Sequence, residues 1–211
     1  MALTITISSS FGAGGNVVGQ AVAERLGLAF FDRAIPVAVA RRLAIPLDEA
    51  AAQDEKAPST WTRLARAFAN MAVPMAPQNL VPQEHPEKFR DETERILYQI
   101  SETTGGVILG RGGALVLRGR SGVLRVRLDG EVTARIARVA TLEHLDMETA
   151  KAMQKETDHA RDQYLKLFYR ARQDDPTLYD LCIDSMTIPL ETCTELIVTA
   201  SRAIAPGALT H

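Results

Sequence analysis

Between its first apolar run and its first helical pattern the chain reads Ser8-Ser9-Ser10-Phe11-Gly12-Ala13-Gly14-Gly15-Asn16-Val17. Small residues in succession let backbone amides converge on one anion, and a helix starting at once adds the positive end of its dipole. The chemistry open to such a turn is phosphate binding, with Gly12, Ala13, Gly14, Gly15, Asn16 and Val17 as the cradle. A tight βα turn without a ligand would use the same residues; the strand–turn–helix setting favours the cradle. A full phosphate loop reads GxxxxGK[ST]. Here Ser9 stands at the first glycine, Gly15 stands at the lysine, and neither Asn16 nor Val17 is a Ser or Thr. Removing one well-placed electrostatic donor typically costs about 10²–10³ in rate. Another cation must therefore take the lysine's place.

Arginines are the natural substitutes, because the planar guanidinium stays charged and binds two phosphate oxygens at once. Arg111 follows an apolar strand and lies between Gly110 and Gly112, where a turn exposes it to a crevice. Ligand contact is the favoured role; an ion pair with Asp32 or Asp184 at the sheet end is the alternative. Arg135 and Arg138 share a helix face, and surface charge and phosphate contact are equally open for them. Asp158 and Arg161 also share a face and could form a helical ion pair. Arg170 and Arg172 fall where a helix gives way to Gln173-Asp174-Asp175-Pro176, as a lid hinge or as a solvated helix end. Asp32 and Asp184 end strands and are the carboxylates placed to meet a metal, although no metal ligand is identified. Tyr164, Phe168 and Tyr169 read as packing residues, and Trp61 as a core or interface residue.

The elements that must position these groups alternate. Residues 3–8 (LTITIS) form a β-branched run, 17–26 carry helical spacing closed by Gly27, and 28–31 form a second apolar run. Strand character returns at 106–109, 123–128 and 179–184, separated by helices at 131–141 and 147–169 and followed by one at 190–204. Five short strands with intervening helices imply an α/β fold with an open five-stranded parallel sheet flanked by helices. Ligands in such sheets sit beyond the carboxyl ends of the strands. Residues 33–104 read as a helical insertion, with helices at 35–42, 60–71 and 89–103 and an irregular proline-rich stretch at 73–87.

The 211 residues carry a formal net charge of −2, which argues against a broad nucleic-acid surface and leaves any anion site local. No apolar stretch approaches the roughly 18 residues that span a bilayer, and the N-terminus lacks signal-peptide regions, so the expected location is cytoplasmic. Cys182 and Cys193 read as reduced core cysteines. The apolar piece 68–75 could seat a second copy in a homodimer.

The opening ITISSSFGAGGNVVGQAVAERLGLAFFDRAI is similar to that of bacterial cytidylate kinases, and closer still to the cytidylate kinase-like family. Gly110-Arg111-Gly112, Thr157-Asp158-His159-Ala160-Arg161 and Asp175-Pro176-Thr177-Leu178-Tyr179-Asp180-Leu181-Cys182-Ile183-Asp184-Ser185 carry the resemblance further. It implies a single P-loop NTPase domain over 1–211, with 33–104 on the acceptor side and a lid at about 155–176. It also implies phosphoryl transfer from ATP, with Mg2+, to CMP or dCMP. Gly12, Gly14 and Gly15 would cradle the donor phosphates; Asp32, Arg33 and Asp158 would border the monophosphate. Arg111 would grip its phosphate, and Arg161, Arg170 and Arg172 would close as a lid. The family commonly has an arginine near Ser9 and a basic residue near Asn16, and this chain has neither. A nucleotide-binding protein with little turnover and a P-loop kinase for another small acceptor are the alternative functions. A dinucleotide oxidoreductase is disfavoured, since no GxGxxG occurs.

Overall fold

The computed structural model describes residues 2–32 and 86–205. The expectations for Arg33, Trp61, the helices at 35–42 and 60–71 and the apolar piece 68–75 lie outside the described residues.

The chain begins with β1 (Thr4–Ser9), α1 (Gly15–Leu26) and a short β2 (Phe30–Phe31). After the undescribed segment come α2 (Pro86–Glu102), β3 (Gly106–Leu109), a one-turn α3 (Gly113–Val116) and β4 (Val123–Asp129). Helices α4 (Val132–Leu142) and α5 (Met147–Tyr169), a 3₁₀ turn (Pro176–Leu178), β5 (Leu181–Asp184) and α6 (Leu190–Ile204) complete it. The strands form one sheet in the order β2-β3-β1-β4-β5, and every pairing is parallel. That is the sheet the element pattern implied.

The one-turn α3 and the 3₁₀ turn were not expected from the sequence; the other differences lie at element ends and have local causes. The second strand was expected from residue 28 and starts at Phe30, because Leu28 still donates its amide to Ala23 O at 2.9 Å. Gly27, in the left-handed conformation that a helix-ending turn requires, puts it there. The last strand was expected from residue 179 and starts at Leu181, since Tyr179 closes the 3₁₀ turn by donating to Pro176 O. Helix α2 begins at Pro86 and not at 89; proline has no amide to lose in a first turn. Cys193 is buried as expected, but Cys182 is exposed. It sits on edge strand β5, where Ile183 faces the core and its neighbours alternate outward.

Strand periodicity sorts the core into two layers. Leu124, Val126 and Leu128 of β4 join Ile5, Ile7, Val18, Val22, Cys193 and Ile197 between the sheet, α1 and α6. On the opposite face Leu97 and Ile100 of α2 pack with Ile108, Leu117 and Val123. Fully burying one such aliphatic side chain contributes about 1.5–3 kcal/mol. This double layer is what holds the strand ends rigid. By the same alternation Arg125 and Arg127 share the face of Val123; Arg127 is buried there, whereas Arg125 is half-buried and pairs with Asp180. Register then brings the ends of β1, β3 and β4 level: Ser10 N donates to Leu128 O at 3.1 Å and Gly110 N to Ile7 O at 2.9 Å.

Candidate functional site

Beyond those strand ends lies a cavity of about 280 Å³, bounded by the glycine turn, Asp32, the Gly110–Arg111–Gly112 turn, α5 and Gln173. Of the turn, Gly12, Gly14, Gly15, Asn16 and Val17 line it, whereas Ala13 is fully buried behind it. Gly12 and Gly14 take φ of 77° and 80°, which L side chains rarely adopt. Helix α1 starts at Gly15 with no side-chain cap and no acid in its first turn. Its first intrahelical bond is Val18 N to Gly14 O, so the amides of Gly15, Asn16 and Val17 lack intrahelical acceptors. Uncapped amides at a helix start are the kind of backbone surface that can receive an anion.

The turn is held from behind by charged groups, several of them invisible in the residue pattern. Asp158 Oδ1 accepts the Phe11 amide at 2.8 Å. Asp158 Oδ2 accepts from Arg135 Nη1 at 2.9 Å and from Gln154 at 2.9 Å. Arg135, only 4% exposed, also donates to Phe11 O at 2.7 Å and Gly130 O at 3.0 Å. Arg138 donates to Ser185 O at 2.8 Å, and Ser185 Oγ donates to Ala13 O at 2.8 Å. Arg127 bonds Ser10 Oγ at 2.7 Å and Asp129 at 2.8 Å. Burial alone would raise the Asp129 carboxyl, but Arg127 and Ser10 outweigh it and hold it below the usual carboxylate range. Arg135 and Arg138 are therefore neither surface charges nor cavity residues; they tie the turn's carbonyls to α4 and β5. Arg127 was legible only as a cation in an otherwise buried strand.

Two guanidinium groups reach the cavity. Arg111 has φ 61°, between Gly110 at 74° and Gly112 at 68°, giving three consecutive left-handed residues. An L residue with a side chain holds that conformation at a cost of roughly 1–3 kcal/mol, and such strain gathers at functional sites. Arg111 Nη2 donates to Asp32 O at 3.3 Å. Burial lowers its pKa, partly opposed by the nearby Asp32 carboxylate. Arg161, on α5, donates Nη1 to Ser9 O at 2.6 Å and lies 3.7 Å from Asp158. Burial, with repulsion from Arg127 and Arg111, pushes its pKa down to about 10 against the pull of Asp158. It remains charged at neutral pH. Among the described residues the cavity thus has the glycine turn on one wall and the cations Arg111 and Arg161 on others.

The sequence model of the cytidylate kinase-like family matches residues 4–187. The chain belongs to that family. Among solved structures, an uncharacterized protein from Eubacterium ventriosum shares 18% identity, with 95% of this chain and 99% of that one aligned at a TM-score of 0.69. A shikimate kinase from Bacteroides thetaiotaomicron shares 14% identity over 95% and 98% of the two chains, with a TM-score of 0.50. No curated protein sequence is a significant match. The parallel sheet with helices on both faces is a P-loop kinase-like α/β fold, and the family is a kinase-like one.

For a member of the cytidylate kinase-like family, the expected site residues divide sharply. Asp32, Arg111 and Arg161 line the cavity with the glycines. Asp158 does not line it but accepts the amide of Phe11, which does. Arg170 is exposed at the end of α5, and Arg172 is exposed and paired with Asp174 at 2.6 Å. Of the stretch expected as a lid, residues up to Tyr169 belong to the continuous α5, and only Gln173 of the following loop reaches the cavity. Asp184, expected to face a metal, does not line the cavity; its carboxylate accepts from Met186 N, Thr187 N and Thr187 Oγ1 in the turn after β5. Tyr164, Phe168 and Tyr169 pack edge to face, as read from sequence, although Tyr164 also borders the cavity. Among the described residues no cluster of three or more His, Cys, Asp or Glu is placed to hold a metal, and no helix is long and apolar enough to cross a membrane.

Proposed function

We propose that this chain transfers a phosphoryl group from a nucleoside triphosphate, ATP first, to a nucleoside monophosphate, with CMP or dCMP as the preferred acceptor. The supporting observation is a cavity lined by the glycine turn together with Arg111 and Arg161. Phosphoryl transfer asks little covalent chemistry of the protein and much alignment and positive charge. In this reading Gly12, Gly14, Gly15 and the first-turn amides of α1 hold the donor phosphates. Arg111 orients the acceptor phosphate from the end of β3, with Asp32 beside the acceptor. Arg161 lies across the moving group. Gln173 follows the segment that bears Arg170 and Arg172, so closure of that loop would exclude water.

A magnesium ion held by few protein groups needs only one or two carboxylates beside phosphate oxygens and water. Asp32 is the carboxylate among the lining residues and fits that part. Magnesium bound with the triphosphate would neutralise charge developing on the transferred group.

A second reading, nucleotide binding with little turnover, is favoured by one observation: Gly15 leaves the loop itself without an ammonium. ADP release from ATP, assayed with CMP, dCMP, AMP, UMP and shikimate in turn, separates the two. Release should be fastest with CMP or dCMP. A rate independent of every acceptor rejects the kinase reading, and calorimetric ATP binding in that case leaves the second one standing.

A further inference from the structure

The altered first glycine and the missing lysine are one packing event. A Cβ built on Gly15 would stand 2.5 Å from Ser9 Cβ and 2.7 Å from Ser9 Oγ. Real side chains essentially never come so close, so a residue with a stem at position 15 forces Ser9 to shift, which glycine at position 9 would relieve, while Leu109 Cδ1 at 3.1 Å need give only slightly. The Ser9 side chain fills the volume from which a lysine would grow. At the same residue Arg161 arrives from α5, its Nη1 2.6 Å from Ser9 O, and it lines the cavity with Gly12 and Gly14. A guanidinium carries five N–H donors, and this bond uses one. Three residues earlier on α5, Asp158 accepts the Phe11 amide, and Arg135 braces both Asp158 and Phe11 O. Helix α5 is therefore bonded to the loop on both sides of Ser10.

We propose that Arg161 is the cation of this phosphate loop, delivered to the triphosphate by α5 in place of a lysine within the loop, with Asp158 as the residue that positions it. The proposal deepens the reading of the cavity as a triphosphate site and rests on it. Charge at the loop then depends on α5 being docked, which a lysine carried by the loop would not. The depressed pKa of Arg161 fits a partly buried cation, repelled by Arg127 and Arg111, whose natural complement is an anion.

The test uses the whole chain and ATP as the probe, with affinity read by calorimetry and folding by thermal midpoint. Arg161→Gln should weaken ATP binding by about tenfold or more, the usual size of a charge-assisted contact, and should flatten its salt dependence. Arg161→Lys should keep part of the affinity. Gly15→Lys alone should lower the midpoint, and adding Ser9→Gly should recover it. Combining Ser9→Gly and Gly15→Lys with Arg161→Gln should restore most of the lost affinity. Asp158→Asn should weaken ATP binding in the natural loop more than in that triple variant, where it still supports Phe11 but no longer positions the cation. A folded triple variant without rescue overturns the proposal, as does an equal cost of Asp158→Asn in both backgrounds or equal affinity of the Arg161→Lys and Arg161→Gln variants. Absence of ATP binding by the unmutated chain would instead overturn the triphosphate reading itself, and this proposal with it.

Discussion

Replacing Arg111 by glycine separates a ligand-binding arginine from a structural one, because the two roles predict opposite balances. The residue holds φ 61° between two glycines that are also left-handed. Releasing that conformation returns about 1–2 kcal/mol, from which the greater chain entropy of glycine removes roughly 0.5–1 kcal/mol. The long 3.3 Å bond to Asp32 O disappears, at a cost of about 0.5–1.5 kcal/mol. The attraction of Asp32 is lost too, but burial already works against the charge. These terms nearly cancel, leaving stability changed by about 1 kcal/mol or less, or a thermal midpoint within about 2–4 °C of the parent. Affinity for CMP should behave differently. A hydrogen bond to a charged group contributes about 1.5–3 kcal/mol, so calorimetry should show roughly a 10- to 150-fold loss. Arg111→Asn, which tolerates the left-handed backbone, should lose CMP affinity to a similar degree. A midpoint lowered by more than about 8 °C with CMP affinity intact would show that Arg111 serves the sheet end and not a ligand.

Two further outcomes follow from other parts of the site. Alanine at Gly12 would bring a Cβ within 2.5 Å of the Arg135 carbonyl oxygen, whereas alanine at Gly110 would meet nothing within 4 Å at a similar φ. Urea unfolding should show about 1–2 kcal/mol lost at Gly110 and about 1–3 kcal/mol more at Gly12; equal losses would contradict close packing of the turn on α4. Burial alone would raise the Asp180 carboxyl, but bonds from Arg125 at 2.5 and 3.0 Å outweigh it and hold it below the usual range. Its stabilisation is therefore present above the ordinary carboxylate pKa and lost as pH falls through the lower folded value. Asp180→Asn should flatten the acid limb of urea midpoints measured from about pH 7 to about pH 2, and an unchanged slope would reject the assignment.

The sequence alone was enough for the order of the five strands along the chain, the parallel sheet and the place of the glycine turn. Those features follow from local rules: β-branched runs, helical spacing, a glycine ending α1, and helices that must cross between parallel strands. Arg111 was legible for the same reason, as a cation closing an apolar strand. Only the tertiary structure decided the parts played by Asp158, Arg135, Arg138 and Arg127, whose partners lie 2 to 147 residues away along the chain. It likewise separated Arg161, at the cavity, from Arg172, paired in solvent, although both are arginines at the same end of the sequence. Composition and spacing cannot distinguish such cases, because a long flexible side chain takes its role from the groups that desolvate and oppose it. Those groups meet only when the sheet register sets the strand ends level and α5 lies down across them.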